Sequence, residues 1–361
     1  MTRINNMRLE ELGYNFKLEK IRNENYPEEF ETARVISEHK ERYSVMTADS
    51  EFEAEITGNL RFTAKSREDF PAVGDWVLIT SYDSGNAIIH HILPRFSVIK
   101  RQAVGQFGEV QVIAANIDFA LLIQAADRDF NINRLERYLT ICNSSMVKPV
   151  IVLSKTDLSD GERIREIIEA IKGRIKNVPV IALSNQTHVG YEEVNKIIEK
   201  GKTYCMLGSS GVGKSTLLNN LSGRDIMKTD SISHSTNKGK HVTSHRELII
   251  LENGGILIDN PGMRDVGIAD TSGGLKITFD MIYRLSDKCR YKDCRHIHES
   301  GCAVIGAVEK GELDRASYDN YLKLEKEKAF FESTVSERKE RDRLFGRMMK
   351  NYKKSEKFKK P

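Results

Sequence analysis

The sequence predicts an α/β protein in which a small β-barrel precedes a mostly parallel, helix-flanked sheet and a helical C-terminal segment. Three observations carry this. Between Ala33 and about Ile99, short strand-like runs follow one another, broken by turn residues. From about Ile117, apolar runs alternate with segments of helical period. Cysteine and histidine then gather between Cys289 and Cys302, and a charged, helical stretch follows Ala307. The 361 residues exceed one ordinary core and ask for two or three domains of roughly 100–200 residues each.

Residues 1–30 are polar and charged, and read as a loose arm with a short helix. The barrel runs are Ala33–Ile36, Tyr43–Met46, Phe52–Ile56, Trp76–Ile79 and Ala87–Ile89, separated by Pro71, Gly74-Asp75 and Ser84-Gly85-Asn86. About five short strands at this spacing fit an OB-fold, and an SH3-like barrel shows the same pattern. Further on, Phe119–Ile123, Pro149–Leu153, Pro179–Leu183 and Tyr204–Leu207 are buried-strand candidates. Helical spacing covers Ile132–Ile141 and Glu162–Ile171, the latter with Ile164, Ile167, Ile168 and Ile171 on one face. His245–Leu251 and Gly255–Ile258 read as a hairpin. The alternation implies a mostly parallel sheet with helices on its faces. The expected division is an arm at 1–30, a barrel at 31–100, a nucleotide-binding domain at 101–275 and a metal-binding helical domain at 276–361.

Hydrophobic residues make up 39% and charged residues 30%, the balance of a soluble folded chain. No apolar run approaches the ~20 residues of a membrane helix. The N-terminus lacks an apolar signal segment, so the expected compartment is the cytoplasm. Five cysteines, an odd count, argue against a disulfide scaffold and leave metal ligation open. The net charge is only +4, yet Val335–Pro361 holds 11 Lys and Arg against 4 Asp and Glu. Such a tail suits an acidic partner such as RNA, or is simply a solvated end.

The chemistry begins at Gly208-Ser209-Ser210-Gly211-Val212-Gly213-Lys214-Ser215, continued by Thr216. This is a complete phosphate-binding P-loop between a strand and a helix. Its glycines let backbone N–H groups turn towards phosphate oxygens, and the helix N-terminus adds partial positive charge. Lys214 should reach the β- and γ-phosphates and Ser215 should ligate Mg²⁺. Ser154-Lys155-Thr156-Asp157 follows a strand and resembles the guanine motif Asn-Lys-x-Asp. An aspartate there accepts from guanine N1 and N2, while the lysine stem packs on the base; Asp157 as a helix cap is the plainer alternative. Ser184-Asn185 ends the next strand and resembles the second guanine loop, Ser-Ala-x, with Asn in place of Ala.

Asp259-Asn260-Pro261-Gly262 fits the Asp-x-x-Gly switch motif, with Asp259 on Mg²⁺ through water and Gly262 N–H at the γ-phosphate. Thr243, with Ser244 in reserve, is the candidate for the second Mg²⁺ oxygen. Met263 follows Gly262 where many GTPases carry a water-orienting glutamine, which predicts slow intrinsic hydrolysis. His241 is the candidate for orienting that water. Both guanine motifs precede the P-loop, an order that builds the usual sheet only if the chain is circularly permuted. Lastly, Cys289-x4-Cys294-x-His296-x5-Cys302 offers three thiolates and an imidazole, a structural zinc set, with His298 a rival to His296.

Together these motifs resemble the ribosome small-subunit-dependent GTPase A family (RsgA, also called YjeQ or YloQ). Pro71-Ala-Val-Gly-Asp-Trp76, Phe130-Asn-Ile-Asn-Arg-Leu135, Gly239–Leu248 and Gly301-Cys-Ala-Val304 add to the likeness, which covers about residues 30 to 330. The departures are Ser154, Asn185, Val242 and Ser244. The resemblance implies an N-terminal OB-fold, a circularly permuted P-loop GTPase domain and a C-terminal zinc-binding domain. It also implies GTP hydrolysis to GDP, stimulated by the small ribosomal subunit, and action on that subunit and its rRNA in late maturation; the chain is expected to be a monomer using Mg²⁺ with GTP and one Zn²⁺. Two other classes compete: a P-loop ATPase or small-molecule kinase, which Asp157 argues against, and an RNA-binding scaffold that does not turn nucleotide over.

Overall fold

A computed structural model describes residues 8–39, 42–102, 110–127, 130–223, 246–259, 273–332 and 343. The described chain opens with a 3-10 turn at Leu9–Leu12 and helix α1 (Phe16–Asn25). The Asn15 side chain caps α1 by accepting from the Lys17 and Leu18 N–H groups. Leu12, Tyr14 and Leu18 are buried against Trp76, Leu78 and Leu93. This part of the arm is therefore docked rather than loose. Three apolar side chains anchor it, too few to stand out in so charged a stretch.

Five strands form the barrel: β1 (Glu31–His39), β2 (Arg42–Met46), β3 (Glu51–Ile56), β4 (Trp76–Ser81) and β5 (Asn86–Ile92), with the short helix α2 (Gly58–Thr63) between β3 and β4. Their order is β1-β2-β3-β5-β4, and β4 returns to β1 through Glu31↔Ile79 to Arg34↔Trp76, closing the sheet. β3 and β5 run parallel; the other neighbours are antiparallel. This closed order, with a helix inserted after β3, is OB-like, which decides between the two barrels that the strand pattern allowed. Val35, Tyr43, Val45, Val77, Ile79 and Ile89 fill the interior. A hairpin follows, β6 (Val98–Gln102) with β7 (Val110–Ala115); its strands are short and were not evident from pattern.

The α/β layer then runs β8 (Phe119–Ala125), α3 (Ile132–Ser144), β9 (Lys148–Ser154), α4 (Gly161–Arg174), β10 (Val180–Ala182), α5 (Tyr191–Ile197), β11 (Thr203–Leu207), α6 (Lys214–Ser222), β12 (Arg246–Ile250) and β13 (Ile256–Asp259). In space the strands lie β10-β9-β8-β11-β13-β12, parallel except for β12. Successive strand residues serve opposite faces. Ala120, Leu122, Ile151 and Leu153 meet Leu135, Ile167 and Ile171 of α3 and α4. Leu121, Ile123, Val150 and Val152 meet Val194, Leu217 and Leu218 of α5 and α6. Both faces being covered, the strands read as continuous apolar runs, and each fully buried aliphatic side chain contributes about 1.5–3 kcal/mol.

β12 also pairs with β1 through Ser37↔Glu247, so barrel and α/β sheet form one 11-stranded sheet. Arg34 of β1, 1% exposed, fastens this junction. Its guanidinium donates to the carbonyls of Gly74 (3.3 Å), Asn116 (3.3 Å) and Leu12, and to Thr203 Oγ1 (2.9 Å). Arm, barrel and P-loop strand thus share one buried cation. Burial lowers its pKa to about 10, against the pull of Asp118 and Asp75, so it stays charged at neutral pH.

The C-terminal segment holds α7 (Gly274–Thr278), α8 (Asp280–Ser286), α9 (Ala303–Glu309) and α10 (Arg315–Glu332) around Leu275, Phe279, Ile282, Val304, Tyr321 and Leu324. It docks on α3 through Glu136, which is 3% exposed. That carboxylate accepts from Arg174 (2.6 Å), Asn320 (2.7 Å) and Ser317 (3.0 Å). Burial nevertheless pushes its pKa up, the Arg174 cation and the hydrogen-bond donors opposing.

Candidate functional site

β11 is fully buried at the centre of the α/β layer and delivers the chain to Gly208 at its carboxyl end. The loop Gly208–Gly213 then turns into α6, whose first residue is Lys214 and whose cap, Gly213, sits at φ +91°. Only glycine adopts that backbone cheaply, and a Cβ there would stand 2.6 Å from Asn185 Nδ2. Gly208 is tight for another reason: a Cβ would stand 2.5 Å from the Ile123 carbonyl. Ser209, Ser215 and Thr216 are half-buried, whereas Ser210 and Gly211 are exposed. Lys214 Nζ donates to the carbonyls of Gly208 (2.8 Å) and Ser209 (2.6 Å), so the ammonium lies over the loop it belongs to.

The guanine-motif residues converge on this loop. Ser154, 1% exposed at the end of β9, donates to the Val212 carbonyl at 2.7 Å. The hydroxyl thus ties the two motifs together directly, although serine is a departure from Asn-Lys-x-Asp. Lys155 takes the left-handed conformation (φ +57°) and its ammonium lies 3.8 Å from Asp127. Thr156 N–H donates to the Leu183 carbonyl at 3.2 Å. Ser184 is buried and donates to Asp157 Oδ1 at 2.6 Å. The same hydroxyl accepts from the Gln186 and Thr187 N–H groups, both at 3.1 Å. One carboxylate oxygen of Asp157 is therefore fixed from within the protein. Asn185 donates from Nδ2 to the Gly213 carbonyl at 3.0 Å.

Asp259 ends β13, whose register with β11 (Cys205↔Ile258) sets it beside the strand that feeds the P-loop. His241, Thr243, Ser244, Gly262 and Met263 lie outside the described residues, as does the basic tail apart from Arg343. Cys142 and Cys205 are fully buried, and burial pushes both thiols up, Cys205 to about 12. Neither supplies a thiolate, in keeping with their reading as small apolar residues. Sequence reasoning passed over Asp127, Tyr191 and Asn220. No motif marks them; only their distances to Lys155 and Asn185 do.

The second site is local. The ligand atoms of Cys289, Cys294, His296 and Cys302 all lie within 4.8 Å of one another. The Cys289–Cys302 sulfur separation is 3.8 Å, and His296 Nδ1 lies 3.6 Å from Cys289 Sγ and 3.3 Å from Cys302 Sγ. With Zn–S near 2.3 Å and Zn–N near 2.0–2.1 Å, a tetrahedron has edges of about 3.5–3.8 Å; Cys289, His296 and Cys302 stand close to those separations and Cys294 lies within 4.8 Å of them, so the set could hold one ion. Ser286 Oγ at 2.9 Å from His296 Nε2 holds the ring with Nδ1 inward, the outer-shell contact such ligands require. Tyr318 donates its hydroxyl proton to the His296 carbonyl. Cys302 Sγ accepts from the Ile305 N–H at 3.4 Å, capping α9. His298 is exposed and outside the converging set. Glu299 braces the loop by accepting from the N–H groups of Arg295, Ile297 and His298, which lowers its pKa to about 2.

A Gly-rich loop between a central parallel strand and a helix, met by guanine-type motifs from earlier in the chain, defines the class: a P-loop nucleotide-binding protein with its motifs in permuted order. Comparison with known proteins agrees. A family model described as RsgA GTPase matches residues 92–269. The small ribosomal subunit biogenesis GTPase RsgA 1 of Bacteroides thetaiotaomicron is 37% identical over 322 residues, 89% of this chain and 90% of that one. RsgA 2 of Listeria monocytogenes is 41% identical, covering 86% and 88%. The crystal structure of YloQ, a circularly permuted GTPase, superposes with a TM-score of 0.61 at 25% identity, over 84% of this chain and 97% of that one. YjeQ from Thermotoga maritima gives 0.60 at 24%, over 82% and 97%, a likeness of fold. The chain belongs to the RsgA GTPase family.

Proposed function

We propose that this chain hydrolyses GTP to GDP and phosphate and acts in biogenesis of the small ribosomal subunit, with that subunit stimulating turnover. One observation carries the nucleotide half of this reading. Asp157, its carboxylate held by Ser184, belongs to the same hydrogen-bonded assembly as the phosphate loop, through Ser154 and Asn185. In this reading the N–H groups of Gly208–Thr216 cradle the phosphates and Lys214 exchanges its loop carbonyls for β- and γ-oxygens. Asp157 accepts from guanine N1 and N2, the Lys155 stem packs on the base, and the backbone N–H of Asn185 meets the base edge, that of Ser184 being bound to the Val189 carbonyl. Ser215, Thr243 and Asp259 would hold Mg²⁺, whose charge offsets that developing on the transferred phosphoryl group. Gly262 would meet the γ-phosphate and His241 would orient the attacking water. Cys289, Cys294, His296 and Cys302 would hold Zn²⁺ in a structural, closed site.

The ribosomal half rests on the relatives, whose names state small-subunit biogenesis. The OB-like barrel supports it, since such barrels bind RNA. It exposes Phe62 and Tyr82, 89% and 63% accessible, rings on which unpaired bases can stack. No helix among the described residues is long and apolar enough to cross a membrane. GTP hydrolysis measured with and without purified small subunits tests the whole reading. Turnover should be slow alone and rise at least tenfold with subunits; equal rates in both arms would refute the ribosomal role.

A further inference from the structure

Asn185 stands where the resembled guanine loop has alanine, and its carboxamide is engaged by protein on both sides. Nδ2 donates to the Gly213 carbonyl at 3.0 Å, and Oδ1 accepts from the Tyr191 hydroxyl at 2.7 Å. Tyr191 is 9% exposed, and its oxygen in turn accepts from Asn220 Nδ2 at 2.8 Å. Asn220 Nδ2 also lies 3.3 Å from the Asn185 carbonyl. The donor directions are mutually consistent, and burial raises the Tyr191 pKa, which keeps the phenol a donor at neutral pH.

The connectivity matters more than any single bond. Gly213 and Asn220 both belong to α6, one at its cap and one two turns along. Asn185 lies in the loop from β10 to α5, and Tyr191 opens α5. The four residues therefore close a ring between the phosphate-loop helix and the guanine loop. Next to Asn185 in that loop is Ser184, the group that orients Asp157. The loop itself is sharply folded: Gly190 has φ +85°, and a Cβ there would stand 2.1 Å from the Ala182 carbonyl. A shift of α6 therefore reaches the Asp157 carboxylate through few, well-packed steps.

We infer that Asn185, Tyr191 and Asn220 are positioning residues that lock the guanine loop to the phosphate-loop helix and thereby set how well Asp157 discriminates guanine. The inference rests on the nucleotide reading above. Its test is equilibrium binding of GDP, IDP and ADP to the full chain, to Tyr191→Phe, to Asn185→Ala and to the double variant. IDP lacks the exocyclic amine that Asp157 would read. Tyr191→Phe removes only the hydroxyl and keeps the ring in its core. Loss of one hydrogen bond should weaken GDP about fivefold and IDP less than twofold, narrowing their ratio. The double variant should lose little more than either single one, because both break the same bridge. A merely structural role would lower the melting temperature and weaken both nucleotides in proportion. An unchanged GDP-to-IDP ratio in both single variants overturns the inference. A parent chain without preference for GDP over IDP and ADP would instead overturn the nucleotide reading itself.

Discussion

The nucleotide site and the Cys–His cluster are built in opposite ways. The cluster draws four ligands from Cys289 to Cys302, one short stretch of chain with little regular structure before α9. The nucleotide site joins residues from Ser154 to Asp259, and strands β9, β10, β11 and β13 bring them together. A local site rests on one loop, braced by Glu299 and by the small core that Cys302 joins, and a bound ion would add most of its remaining order. A distributed site is held by the sheet core and by bonds such as Ser154 to Val212, and requires no ligand to exist. The contrast predicts that ligand removal damages the first and leaves the second standing.

The largest effect should come from removing the metal that the Cys–His cluster is proposed to hold. Chelation, or Cys302→Ser, should release the ion and unfold the segment around α9. Structural zinc binding in small peptides carries about 10–16 kcal/mol. Metal analysis and thermal unfolding read this out, while GDP affinity should change less than about twofold. Freshly purified protein free of metal would break the comparison at its root. Next is Lys214→Ala, which should leave the fold intact and lower GTP turnover about 100- to 1,000-fold, the usual loss for a preorganised electrostatic group. Full activity in that variant would remove the P-loop from the chemistry. The smallest effect belongs to Ser154→Ala. It strips the buried Val212 carbonyl of its donor and should destabilise the chain by about 1–3 kcal/mol, with a parallel loss of GDP affinity. Denaturant unfolding with and without GDP measures both. A variant as stable as the parent would show that the junction of the two motifs is held elsewhere.

The same contrast explains what could be read from the sequence. Cys289, Cys294, His296 and Cys302 were legible because their spacing alone brings them near one ion. The P-loop was legible because its backbone geometry demands Gly208 and Gly213. Strands β8, β9 and β11 announced themselves as apolar runs, because both faces of the layer are covered. The β6–β7 hairpin did not, since its strands pair with one another outside the covered layer. The docking of Leu12 and Leu18 was likewise hidden, being set by Trp76 and Leu93 far along the chain. Asn185, a departure from the motif, gave no hint of its bond to Gly213.

By itself, the sequence determined the local chemistry: a phosphate loop, two guanine-type motifs placed before it, and a Cys3His set. Those depend on residue type at short spacing, which the chain carries within itself. Tertiary structure alone decided that β3 pairs with β5 and β4 with β1, making the barrel OB-like. It also chose His296 over His298 and aimed the Asn185 carboxamide at the phosphate loop. The physical reason is that burial and hydrogen-bond partners are properties of neighbours in space, and the sheet order brings together residues far apart in the chain.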